Sequence, residues 1–82
     1  MNIISGVITP NTRIRFIVVT NSPENIIGLQ YTTETDNSGN YNISLYTGVY
    51  DVTINNRFYR NINIDKNGSL NEFLENANGG NL

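Results

Sequence analysis

The sequence predicts an all-β fold: a small antiparallel β-sandwich of six or seven strands with a short C-terminal α-helix. Three observations carry that expectation. Apolar residues recur at every second position in short runs, as on a pleated strand with one dry and one wet face. Turn formers punctuate those runs at intervals of roughly 8 to 12 residues, the rhythm of a sandwich rather than of alternating strand and helix. The final apolar segment then changes period, from two to the three-and-four spacing of a helix face. Composition agrees, since eleven Ile, eight Thr and five Tyr suit a pleated, half-buried surface, while sixteen Asn suit turns better than helix interiors.

The first strand is expected over Ile3–Ile8, with Ile4 and Gly6 on one face and Ile3, Ser5 and Val7 on the other. Thr9-Pro10-Asn11 breaks it, because proline has no ladder donor. Thr12–Thr20 is the strongest strand. Arg13 and Arg15 alternate there with Ile14, Phe16 and Val18, but Ile17 and Val19 fall on the arginine face, so something apolar must cover that end or leave it exposed. After the polar connection Asn21–Asn25, Ile26–Thr35 reads as strand with Leu29, Tyr31 and Thr33 on one face. Asp36-Asn37-Ser38-Gly39-Asn40 is dense in turn formers and reads as a β-hairpin turn into the alternating run Tyr41–Tyr46. Thr47-Gly48 turns again into a strand carrying Tyr50, Val52 and Ile54, and Asn55-Asn56 leads to the last strand, Arg57–Asp65. In that strand Phe58, Ile62 and Ile64 are expected to face inward with Arg60, and Tyr59, Asn61 and Asn63 outward. Ser69-Leu70-Asn71-Glu72 has the form of a helix capping box, and Leu70, Phe73, Leu74 and Ala77 make one apolar stripe behind it. A helix so short needs that stripe docked. Gly79-Gly80 ends it, so residues 1–78 are expected to form the domain and 79–82 a flexible join.

Several function classes are excluded at this level. A chain of 82 residues holds one domain, and at this size folding buries only about 60 per cent of the unfolded surface. There is no cysteine and no histidine, so disulfides, thiolates and imidazole ligands are all missing, and no cofactor is expected. Five basic and seven acidic residues leave a net charge of −2, which offers no footprint for nucleic acid. The longest apolar run, Phe16–Val19, is far short of a membrane span, and no secretory signal opens the chain.

The order of signals resembles a known family. Ser5-Gly6-Val7-Ile8, Asn37-Ser38-Gly39-Asn40-Tyr41-Asn42-Ile43, Gly48-Val49-Tyr50-Asp51-Val52 and Leu70-Asn71-Glu72-Phe73-Leu74 together look like the N-terminal domain of phage and prophage tail fibres of the lambdoid side-tail-fibre type. The central D-x-x-G-x-Y-x-I and G-x-Y-x-V patterns are also similar to transthyretin-like, carboxypeptidase-regulatory-like sandwiches. The resemblance runs from Ile4 to about Leu74, with a shorter first loop than the family pattern. It implies a non-enzymatic attachment domain of a virion, made in a bacterial host, that joins a homotrimeric receptor-binding fibre or tailspike to a tail or baseplate protein. An exposed edge strand offering β-augmentation suits such a role. The alternatives are a carbohydrate-binding or adhesin-like module, which would set Tyr46 and Tyr59 side by side as a sugar platform, and an accessory domain of a hydrolase.

Weighed as sites, the seven carboxylates are scattered, and no side chain here readily serves a serine nucleophile as base, so no catalytic residue is assigned. Asp36–Asn40 offers oxygens for calcium but lacks the distal bidentate glutamate of an EF-hand loop, and a turn is the better account. Asn42-Ile43-Ser44 and Asn67-Gly68-Ser69 match the glycosylation sequon as chance matches in an asparagine-rich chain. Arg13 and Arg15 could pair with acids on a neighbouring strand or on a docking partner. Ile17, Val19, Leu70, Phe73 and Leu74 are the candidate contacts. Either the helix covers its own sheet, or it turns its stripe to other copies or to the next shaft segment.

Overall fold

A computed structural model describes residues 1–77, with the backbone alone for 75–77. The expected join at 79–82 and the side chain of Ala77 lie outside the described residues. Six strands and one helix follow in order: β1 (Asn2–Val7), β2 (Arg13–Val18), β3 (Gln30–Glu34), β4 (Asn40–Leu45), β5 (Gly48–Ile54), β6 (Arg57–Ile64) and α1 (Leu70–Ala77). They form a sandwich of two antiparallel sheets, a two-stranded β1-β4 layer and a four-stranded β3-β2-β5-β6 layer. Ile4, Tyr41 and Leu45 bring the first layer's side chains into the core, and Ile14, Phe16, Val18, Tyr50 and Val52 bring those of the second. Phe16 and Tyr50 meet edge to face at 6.1 Å in its middle. Burying side chains of this size contributes about 1.5–3 kcal/mol each.

The expected hairpin at Asp36–Asn40 is corrected. The turn is tight, yet its two strands part into different layers: β3 pairs with β2, and β4 pairs with β1. Thr35 makes the corner. It is buried, its backbone N–H donates to the Thr12 carbonyl, and its Oγ1 accepts from the Thr12 N–H at 2.7 Å, which holds the end of β3 to β2 while the chain swings away. Asp36 organises the turn itself. Its Oδ1 accepts from the Ser38 and Asn40 backbone N–H groups, both at 2.9 Å.

Those backbone donors, Asn40 first and then Ser38, hold the Asp36 carboxyl below its ordinary value of 3.8. A depressed folded-state value means stability present above pH 3.8 and lost as pH falls through the folded value. Acid titration followed by circular dichroism is therefore expected to show a loss of stability below pH 3.8 that is weakened in Asp36→Asn. An unchanged acid limb in that variant refutes the assignment.

Strand β6 carries the second correction. Phe58 is 50% exposed, whereas Tyr59 packs against the core alongside Ile62 and Ile64. The cause is a bulge. Tyr50 pairs with Ile62 and Val52 with Tyr59, so Arg60 and Asn61 together oppose Asp51. Asn61 takes φ +56, and its N–H donates to the Asp51 Oδ1 at 3.0 Å. One extra residue reverses the inward phase, as a period of two requires. Arg60 thereby leaves the dry side and lies over the Phe58 ring, its guanidinium 5.5 Å from the centroid.

The third correction concerns Ile26–Leu29, expected in a strand. β3 begins only at Gln30, and Ile26, Ile27 and Leu29 are all exposed. Helix α1 begins as expected, with Ser69 Oγ accepting from the Glu72 N–H at 3.4 Å. Its first amide, from Leu70, donates to the Tyr41 hydroxyl at 2.8 Å, tying the helix start to β4. Asn67-Gly68 runs along the other edge of β1, where Asn67 Oδ1 accepts from the Ile3 N–H at 2.8 Å, so this sequon's asparagine is a structural tie.

Candidate docking surface

The segment from Asn21 to Leu29 is fixed from beneath by one side chain. Asn25 is 1% exposed, and such a buried amide needs partners. Its Nδ2 donates to the Tyr50 hydroxyl at 2.8 Å, its Oδ1 accepts from the Tyr31 hydroxyl at 2.7 Å, and the Tyr50 hydroxyl in turn donates to the Tyr46 carbonyl at 2.6 Å. Burial pushes the Tyr50 hydroxyl above its ordinary value of 10.0. The backbone is held as well. Asn25 and Ser22 exchange both N–H···O bonds, Gly28 N–H donates to the Val18 carbonyl, and Asn21 Oδ1 accepts from the Ile27 N–H at 2.8 Å.

On this fixed frame Ile26, Ile27 and Leu29 stand 66%, 57% and 44% exposed. Three large apolar side chains within four residues, held outward by a hydrogen-bonded loop, form a preorganised apolar surface of the kind that marks a protein contact. Sequence reasoning missed it because β-branched residues read as strand. The signal that could have found it is the Asn21–Asn25 turn cluster immediately before a doubled isoleucine.

The candidate contacts expected from sequence divide into two places. Leu70, Phe73 and Leu74 are buried in the domain's own core, and α1 packs on β6 and β1. The stripe thus closes this sandwich. Ile17 and Val19 are half-buried on the outer side of the four-stranded layer, and the structure does not bring them to the helix stripe. They lead into the exposed loop instead. On the same outer face Arg13 pairs with Glu34 of β3 at 3.3 Å, a solvated bridge worth little in stability.

A cleft of about 520 Å³ opens at the end of the sandwich, with Ile8, Ile54, Tyr59 and Leu74 along its walls and Arg57 and Asn71 among its polar groups. Tyr59 is half-buried there, opposite Val52, while Tyr46 lies before the start of β5. The two tyrosines therefore do not stand side by side as a sugar platform. Among the described residues no cluster of three acidic, histidine or cysteine side chains could hold a metal ion, and no helix is long and apolar enough to cross a membrane. Comparison with family models, curated proteins and solved structures finds no match to this chain.

Proposed function

We propose that this domain is a non-enzymatic attachment module of a bacteriophage tail fibre or tailspike, joining a receptor-binding fibre to a tail or baseplate protein in the virion. The observation that carries the reading is the apolar loop Ile26–Leu29, held rigid by the buried Asn25. Such a surface suits protein docking, because little conformational freedom remains to be lost when a partner covers it. The family resemblance supplies the biological setting, and three of its four motifs meet in space. Ile8 N–H donates to the Gly39 carbonyl, Gly6 lies opposite Tyr41, and Tyr41 receives the Leu70 amide. In this reading the helix stripe is occupied within one copy, and homotrimerisation belongs to other parts of the fibre.

The test is capture of purified tails or baseplates by the isolated domain, compared with Ile26→Asp/Ile27→Asp. Both side chains are exposed, so the double variant is expected to keep its melting temperature and to lose capture by about tenfold or more, as hot-spot positions do. A domain that fails to bind where the intact fibre binds overturns the proposal.

A further inference from the structure

A second polar feature lies on the outer face of the four-stranded layer. Arg13, Arg15, Thr53 and Asn55 line a groove of about 260 Å³. Arg13 is engaged by Glu34. The Arg15 side chain makes no salt bridge or hydrogen bond to any described residue, and its Nε is sealed from solvent without a partner. The register explains why. Arg15 pairs across from Thr32 on one side and Thr53 on the other, so neither neighbouring strand places a carboxylate opposite it. Of the two diagonal acids, Glu34 accepts from Arg13 and Asp51 from the Asn61 N–H, and neither bonds Arg15. Phe58 stands beyond Thr53 and Arg60 lies over its ring, so this side of the sheet adds a further cation and an exposed aromatic.

We propose that this groove is a carboxylate-binding subsite that receives an acidic side chain of the docking protein. A guanidinium presents a planar fork of donors that matches a carboxylate in two parallel hydrogen bonds. No protein acceptor meets that fork on Arg15, which stands on a paired strand in a groove that Thr53 and Asn55 also line. A carboxylate that draws the side chain off the sheet also gives Nε the acceptor it lacks, which a solvated lysine in the same place could not exploit. The partner contact would then combine an apolar anchor at Ile26–Leu29 with a charged one at Arg15, and the charged one sets specificity and encounter rate.

The subsite rests on the attachment reading, and its test is separable from it. A blocked tetraglutamate peptide is titrated into the protein while the arginine Nε–Hε resonances are followed by ¹⁵N–¹H NMR. The Arg15 resonance is expected to shift saturably and more than that of Arg13. A tetraglutamine peptide is expected to give no saturable shift. Arg15→Gln, and Arg15→Lys to a lesser degree, are expected to weaken the peptide by about tenfold, the scale of one charge-assisted hydrogen bond. A shift that stays linear through the millimolar range, or equal affinity for the two peptides, overturns the subsite. So does an Arg15→Gln variant that captures tails as well as the unaltered domain, a result that leaves attachment itself standing. Saturable tetraglutamate binding with no capture of tails by the unaltered domain supports the carboxylate subsite and sinks attachment.

Discussion

Gly39→Ala is expected to lose about 3–5 kcal/mol of stability, a large share of the roughly 4–12 kcal/mol that a chain of this length possesses at about 0.05–0.15 kcal/mol per residue. Two effects add. Gly39 takes φ +86, where a side chain alone costs about 1–2 kcal/mol. A methyl there would also overlap the Ile8 carbonyl oxygen, a backbone atom that no rotamer change can remove. The same residue's carbonyl accepts from the Ile8 N–H at 2.9 Å, so relieving the overlap also opens the tie between the turn and the end of β1. Gly28→Ala is the control. Gly28 takes φ +93, but nothing lies within 4 Å of an added methyl, so only about 1–2 kcal/mol is expected there. Urea denaturation of both variants decides between them: equal losses would mean that the close approach to Ile8 contributes nothing.

Asn25→Ala is expected to cost about 2–4 kcal/mol, lowering the melting temperature by on the order of 10 to 30 °C in a domain this small. The substitution strips an acceptor from the Tyr31 hydroxyl and a donor from the Tyr50 hydroxyl, and leaves a polar hole beneath the loop. Tyr50 keeps its bond to the Tyr46 carbonyl, so the core ring should stay in place while the segment above it loosens. Proteolytic cleavage between Asn21 and Leu29 should therefore accelerate at temperatures where the rest of the domain is still folded. Tail capture should fall with it, although Ile26 and Ile27 are untouched. A variant that melts with the parent would show that the buried amide is not what holds the loop.

The alternation in β2, β4 and β5 was legible because each strand has one dry and one wet face, and the serine half of the helix cap was legible because the backbone demands it. What the sequence hid was set by distant partners. Asn25 looks like any turn asparagine until Tyr31 and Tyr50, six and 25 positions away, close around it. Asn61 is one of sixteen asparagines, and nothing local says that its backbone will cross to φ +56 and reverse the facing of Phe58 and Arg60. The hairpin expected at Asp36–Asn40 failed at Thr35, where a contact with Thr12 sends the two strands into different layers. Of the docking surface, Ile17 and Val19 were visible as exceptions to alternation, and the arginine pair as the wet face that alternation set. The exposed loop was not, because apolar content alone does not distinguish a strand from a surface anchor.

The bulge in β6 also governs what can polymerise with this domain. β6 is an end strand of the four-stranded layer, and an unpaired rim of that kind invites a foreign chain to continue the sheet. A visiting strand that began pairing at Arg57 would lose step at Asn61, where the extra residue twists the rim and throws the next amides out of line. Several copies of this domain can therefore be held close together without zipping into a continuous ribbon along this rim.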